Sequence, residues 1–182
     1  MNISVFGGSK TLVDSPDYPA ALDLGRGLAQ AGHAVLTGGY GGSMEAVSRG
    51  AAEAGGEVIG VTCLEIESWR PVRPNPWVAR EVKHATLNQR LLDLVTHCDL
   101  AIALPGGVGT LTEVAMSWNL MVVAVNPPRP ILLVGAGWQQ TFQAFYRGQD
   151  AYIPAPDRRL LVFCPDVPAA LAFVRGCPPS AA

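Results

Sequence analysis

Short apolar segments alternate with helical stretches along most of this 182-residue chain, and this alternation limits the fold more than any other feature. The strand candidates are residues 3–6, 34–37, 57–61, 100–104 and 130–134, with 160–164 as a sixth. The helical candidates are residues 19–31, 43–54, 85–97, 110–120 and 138–147, with 166–175 as one more. Such an alternation predicts a parallel sheet with right-handed crossover connections. We therefore expect an α/β fold: a Rossmann-like, doubly wound parallel sheet of at least five strands with helices on both faces. It would occupy one domain over residues 1–176, followed by a disordered tail at 177–182.

The ends of several helical candidates carry the residues that favour helix termini. Gly32 is expected to end the first helix, Gly55-Gly56 the second, and Thr110 to open the fourth. Two segments with several prolines, 62–80 and 149–159, have no helical or strand periodicity. The first is long enough to serve as a functional flap or an interface arm.

The charge and hydropathy patterns argue against several classes of protein. The net charge is −2, only 15% of residues are charged, and the basic residues form no long stripe. We therefore expect no nucleic-acid partner, because a phosphate backbone is bound by an extended basic surface. No apolar run approaches the roughly 20 residues that span a bilayer. Since no charged leader precedes the first strand either, we expect a cytoplasmic protein without a membrane partner.

Cysteine and histidine spacing gives no sign of a metal site. The four cysteines lie far apart, form no CxxC pair and have no histidine at the spacing of zinc ligands. We expect free thiols, mostly in the core, and no metal. His84 and His97 are expected to be structural, because neither has a recognisable acid or nucleophile partner in the sequence.

Three glycine clusters follow strand candidates and predict a binding site. They are Gly7-Gly8, Gly38-Gly39-Tyr40-Gly41-Gly42 and Pro105-Gly106-Gly107-Val108-Gly109-Thr110. In a parallel sheet such turns meet at the carboxyl ends of the strands, where ligands of open α/β sheets bind. Glycine lets the backbone approach an anion closely, and the helix that follows offers free N–H groups. We expect Gly38, Gly39, Gly41, Gly42, Gly106, Gly107, Gly109 and Thr110 to hold the phosphate of a small-molecule nucleotide.

The glycine clusters also allow other interpretations. The glycines could serve only the geometry of tight turns. The third glycine of a dinucleotide fingerprint and the GK[ST] of a P-loop are both missing, so neither a nicotinamide dehydrogenase nor a P-loop NTPase is favoured.

The segment from Pro105 to Glu113 resembles the PGGxGTxxE signature of the LONELY GUY (LOG) family of cytokinin-activating phosphoribohydrolases, which are often mislabelled as lysine decarboxylases. The resemblance implies that Arg90 and Glu113 are the catalytic pair and that AMP or an N6-substituted adenine nucleotide is the substrate. It also implies a homodimer, which the apolar segment 115–121 favours. Such chemistry requires no metal or organic cofactor. Tyr40 and Met44 are candidates to line a base pocket.

The chain also departs from the LOG pattern. Around Arg90 the sequence Thr-Leu-Asn-Gln-Arg-Leu lacks the Met, His and Lys of the usual MHxRK. Gly42-Ser43-Met44-Glu45 replaces GLMG and is similar to relatives near the molybdenum-cofactor carriers and the DprA-type proteins. A carrier of a nucleotide or of the molybdenum cofactor is therefore the main alternative function, and single-stranded DNA binding is a third.

The Thr110-x-x-Glu113 pair has a purely structural alternative. A Thr and a Glu three residues apart match a capping box, in which the two side chains satisfy N–H groups at a helix start. A capping role would need no ligand.

Overall fold

The structure, a computed structural model, describes residues 1–177 and contains a seven-stranded sheet. The strands are β1 (Asn2–Phe6), β2 (Ala34–Thr37), β3 (Val58–Cys63), β4 (Arg80–His84), β5 (Leu100–Ala103), β6 (Ile131–Val134) and β7 (Leu161–Cys164). Their order across the sheet is β4-β3-β2-β1-β5-β6-β7, and every neighbouring pair is parallel. The predicted doubly wound parallel sheet is confirmed.

Helices cover both faces of the sheet. They are α1 (Asp17–Gln30), α2 (Ser43–Glu53), α3 (Leu64–Trp69), α4 (Leu87–Thr96), α5 (Val108–Val122), α6 (Ala136–Gly148), α7 (Ala155–Arg158) and α8 (Val167–Gly176), with a short 3-10 turn at Asp150–Tyr152. One core cluster joins α1, α2 and α8 to the sheet, and a second joins α4, α5 and α6 to the opposite face. The sheet is therefore buried on both sides, which explains why its central strands are almost wholly apolar.

Two glycines let α1 and α2 cross at backbone contact. A Cβ on Gly25 would overlap the carbonyl oxygen of Val47, and a Cβ on Gly50 would overlap that of Leu22. This close crossing fixes α2, and with it the turn that leads from β2 into α2.

The segment 62–80 holds most of what the sequence did not predict. It contains α3, which buries no residue, and it leads into β4, an edge strand whose residues are all exposed or only partly buried. Apolar alternation is weak where a strand or helix has little core contact, and charged residues are usual on edge strands. The loop after α3 lies against the β2 turn, because the Asn75 side-chain amide donates to the carbonyl oxygens of Gly39 and Tyr40 at 3.1 and 3.0 Å.

The helix ends and the cysteines agree with the expectations from the sequence. Gly32 and Gly55 both have left-handed backbone conformations just after α1 and α2, as expected for helix ends. Cys63, Cys98, Cys164 and Cys177 are free thiols, and the first three are buried. No helix within residues 1–177 has the length and apolar character needed to cross a bilayer. The expected tail at 177–182 lies outside the described residues apart from Cys177.

Candidate active site

The three glycine-rich turns meet at the carboxyl edge of the sheet. They follow β1, β2 and β5, which are neighbours in the sheet. The backbone N–H of Gly8 donates to the Pro105 carbonyl oxygen at 3.1 Å, and the N–H of Ser43 donates to the Gly8 carbonyl oxygen at 2.9 Å. The turns therefore form one connected surface at the point between β1 and β5 where the direction of strand order reverses, which is the usual ligand site of this architecture.

Gly42 is required by the contact between two of these turns. Its φ is 74°, and an added Cβ would overlap the Gly8 carbonyl oxygen. The Thr11 and Ser43 hydroxyls are 2.7 Å apart beside the same contact. At least one of the predicted site glycines therefore serves the shape of the turns, as the steric interpretation held.

An open pocket of about 410 Å³ lies between the β1 and β5 turns. Its walls are Gly8, Lys10, Thr11, Leu12, Ser15 and Asp17 on one side and Pro105, Gly106 and Gly107 on the other. Gly107 directly precedes α5, so the free N–H groups at the start of that helix lie beside the pocket wall. The pocket can therefore accept an anionic group.

Arg90 is almost fully buried next to this edge. Its Nε donates to the Val61 carbonyl oxygen at 2.9 Å, and its guanidinium lies 5.9 Å from the centroid of the Tyr40 ring. A Cβ on Gly38 would overlap the Nη2 atom of Arg90, so only glycine leaves room for the guanidinium. Gly38 therefore supports the site by making space for Arg90.

Glu113 faces Arg90 from α5. Its Oε1 lies 3.7 Å from Nη1 of Arg90, which is an ion-pair distance but longer than a hydrogen bond. Burial raises the pKa of Glu113 to about 7, and the nearby Arg90 guanidinium only partly opposes this effect. The carboxyl can therefore change its charge near neutral pH, which is a property expected of a group that moves a proton in catalysis.

The capping-box interpretation of Thr110 and Glu113 is wrong. The helix begins at Val108, two residues earlier than predicted, and no side chain caps it. Thr110 lies inside the first turn, buried against Gly106, where a Cβ would overlap its Oγ1. The α5 helix therefore starts without a side-chain cap, after an extended Gly107, and Glu113 faces Arg90.

A capping box is found instead at the start of α4. The Thr86 hydroxyl accepts from the Gln89 backbone N–H, and the Gln89 side chain accepts from the Thr86 N–H, both at 3.3 Å. The sequence carries the signal for this box, a Thr-x-x-Gln at the start of the helical stretch 85–97. The box fixes the start of α4 at Leu87, three residues before Arg90.

The remaining candidates lie around this centre. Tyr40 is buried, and its hydroxyl accepts from the Cys63 N–H at 2.9 Å. The Met44 sulfur, like the Arg90 guanidinium, lies close to Gly38. At Gly41 and Gly109 there is space for a side chain, because no backbone atom lies within 4 Å of an added Cβ. His84 at the end of β4 and His97 just after α4 both contact Asp93 of α4, at 2.5 and 2.6 Å.

A family model described as the SLOG cluster4 family matches residues 1–149. The chain belongs to this family. The probable cytokinin riboside 5′-monophosphate phosphoribohydrolase LOGL9 of Oryza sativa subsp. japonica is 31% identical over 172 residues, which cover 92% of this chain and 74% of the rice protein. The corresponding enzyme LOG3 of Arabidopsis thaliana is 30% identical over 168 residues, covering 90% and 76%. The resemblance to the LOG family is confirmed.

The solved structures that match include a second kind of relative of this SLOG cluster4 protein. The molybdenum cofactor binding protein of Rippkaea orientalis superposes with a TM-score of 0.74 at 25% identity, covering 96% of this chain and 95% of that protein. The molybdenum cofactor carrier protein of Chlamydomonas reinhardtii gives a TM-score of 0.71 at the same identity. The family fold is thus common to proteins named as enzymes and to proteins named as carriers.

Proposed function

We propose that this SLOG cluster4 protein hydrolyses the N-glycosidic bond of a nucleoside 5′-monophosphate to free base and ribose 5-phosphate. The substrate would be AMP or an N6-substituted, cytokinin-type adenine nucleotide, as the names of its LOG relatives suggest. The observation that carries the proposal is the buried pair of Arg90 and Glu113 beside the glycine-rich turns. A pair of opposite charges at a ligand edge, with one pKa moved towards neutrality, is typical of catalytic groups.

The chemistry follows from the charge that develops on the sugar. As the N-glycosidic bond breaks, its electron pair leaves with the base and the ribose becomes oxocarbenium-like. The Glu113 carboxylate would stabilise this cation and take a proton from the water that attacks C1′. Arg90 would hold the phosphate or ribose, or assist the departing base. The base gains a proton from solvent, and Glu113 returns to solvent the proton that it took from the attacking water, so the step balances.

The phosphate would lie in the pocket between the β1 and β5 turns. There Gly106 and Gly107 line the pocket wall, and the α5 helix begins next to them. Backbone N–H groups and the positive end of a helix dipole favour an anion at this position. Gly109 and Thr110 belong to the first turn of the same helix and would contribute an N–H and a hydroxyl.

A carrier function is the second candidate. It is favoured by the similarity to the molybdenum cofactor binding protein and by Glu45, which stands where the LOG motif usually has its last glycine. A carrier would use the same turns to hold a phosphate-bearing ligand without cleaving it. The fate of the ligand therefore separates the two functions.

Incubation of the purified protein with AMP tests the proposal directly. We expect release of adenine and ribose 5-phosphate in equal amounts, measured by chromatography. The Glu113→Gln variant should show at most about a hundredth of this activity, which controls for a contaminating hydrolase. If the wild-type protein binds AMP or a cytokinin nucleotide but releases no base, the carrier function replaces hydrolysis.

A further inference from the structure

Lys10 is a cation without a partner in the pocket between the β1 and β5 turns. The chain has two lysines, Lys10 and Lys83. Lys83 contacts Glu67 at 3.0 Å and Glu81 at 3.2 Å. Within residues 1–177, no carboxylate lies within ion-pairing distance of Lys10, which is exposed and lines the pocket. Its ammonium group is therefore available to a ligand.

The other charges near the pocket leave this role to Lys10. Asp17 is the other charged residue in the pocket wall, and it lies in the first turn of α1, where the helix dipole stabilises a carboxylate. Arg90 is buried outside the pocket lining, with its Nε donated to Val61. A ligand anion in the pocket would thus meet one exposed positive side chain, that of Lys10, in the same lining as Gly106 and Gly107.

We propose that Lys10 binds the 5′-phosphate of the ligand and makes the site select nucleotides over nucleosides. The inference rests on the proposed nucleotide pocket but not on hydrolysis, because a carrier of a phosphate-bearing ligand would need the same contact. The α5 N–H groups hold the phosphate from one side through fixed dipoles. Lys10 supplies a full charge from the other side, as a flexible point charge that several phosphate orientations can use.

The contact should be strong enough to measure. A hydrogen bond to a charged group contributes enough free energy that its loss weakens binding by about tenfold or more. Because Lys10 is exposed, we expect a loss of affinity close to tenfold, and we expect the affinity to fall as the ionic strength rises.

The binding test uses the Glu113→Gln protein, so that AMP is not consumed, and measures affinity by calorimetry at low salt. Adding Lys10→Gln should lower the affinity for AMP and for ribose 5-phosphate by about tenfold, and the affinity for adenosine should not change. Adding Lys10→Arg should restore most of the affinity. Adding Lys83→Gln removes the same charge from the other lysine and should leave AMP binding unchanged, which controls for the net charge of the protein.

A second measurement does not depend on the variants. Acetylation of the two lysines with an activated acetate ester is followed by mass spectrometry in the presence of AMP, ribose 5-phosphate, inorganic phosphate or adenosine. We expect the phosphorylated ligands to slow acetylation of Lys10, with adenosine having no effect. Protection by inorganic phosphate alone, without protection by AMP or ribose 5-phosphate, would mean that Lys10 does not select nucleotides.

The outcomes separate this inference from the proposed function. Protection of Lys10 without release of base would support the phosphate contact and refute hydrolysis. Two results would refute the inference and leave hydrolysis standing if base is released. In one, no phosphorylated ligand protects Lys10 from acetylation. In the other, Lys10→Gln lowers the affinities for AMP and adenosine equally.

Discussion

Replacing Glu113 with glutamine should change stability and activity in opposite directions, and the pH at which this happens follows from burial. The amide keeps the shape of the side chain but cannot ionise. In the wild type, burial raises the pKa of this carboxyl from 4.5 to about 7, even with Arg90 nearby. Since a tenfold change in a protonation equilibrium corresponds to about 1.4 kcal/mol, the ionised form destabilises the folded protein by about 3 kcal/mol relative to the acid.

The sign gives a specific pH window. Below pH 4.5 the carboxyl is protonated in both the folded and the unfolded protein, so its contribution is fully favourable. As the pH rises from 4.5 to about 7, the unfolded chain ionises first and stability is lost. Glutamine stays neutral throughout. We therefore expect Glu113→Gln to match the wild type near pH 4.5 and to exceed its free energy of unfolding by up to about 3 kcal/mol above pH 8.

Urea unfolding at both pH values measures this difference. Glu57→Gln is a matched control, because it makes the same substitution at a side chain that is 55% exposed and contacts Arg80 at the surface. In the same preparations, hydrolysis of AMP by Glu113→Gln should fall by about 100-fold or more, because the group that faces the developing positive charge is lost. For the wild type, kcat/KM should rise as the pH passes through about 7, where the carboxylate becomes the main form.

Two results would refute this reasoning. Hydrolysis within a few-fold of wild type in Glu113→Gln would show that the carboxylate is not catalytic. A stability difference that is the same at both pH values would show that its pKa is not raised by burial.

The other predictions concern the glycines, the arginine and assembly. Gly38→Ala should reduce turnover nearly as much as Arg90→Ala, because the new Cβ would displace the guanidinium, and kinetics with AMP compares them directly. Gly50→Ala should lower the free energy of unfolding in urea by about 2 kcal/mol or more, because the new Cβ forces α1 and α2 apart. Gly148→Ala is the control and should leave stability unchanged, because the space around Gly148 is open. Light scattering should give a dimer mass at micromolar concentration, with the apolar segment 115–121 in the interface; a monomer would contradict it.

The part of the fold that the sequence predicted is the part with strong apolar patterns. The central strands and the long helices were placed to within a few residues, because each buries a continuous apolar face. β4 and α3 were missed for the opposite reason, since neither has a fully buried residue. Apolar periodicity in a sequence predicts buried faces. Elements that cover an edge of the sheet without entering the core have little such periodicity and are hard to predict.

Some residues of the candidate site were predicted from the sequence, but their contacts were not. Arg90 and Glu113 were named from the resemblance to a family, and no spacing in the sequence could have told that α4 and α5 bring them to 3.7 Å. The role of Gly38 was also hidden, because the contact with Arg90 joins residues far apart in the chain. Lys10 was not among the predicted site residues, since its lack of an ion-pair partner within residues 1–177 is a property of the folded surface.

The way in which Arg90 is held argues that its pairing with Glu113 serves a ligand more than the fold. A buried ion pair stabilises a protein only when its geometry is close and the remaining polar atoms are satisfied. Here the two charged groups are 3.7 Å apart, while Arg90 is fixed by other means: a carbonyl oxygen of β3, an aromatic ring and a capped helix start. Glu113 is left with a pKa of about 7, so the protein tolerates a carboxyl whose charge is not fully compensated. Such an arrangement lowers stability at neutral pH, and it is useful where a ligand supplies the missing positive charge.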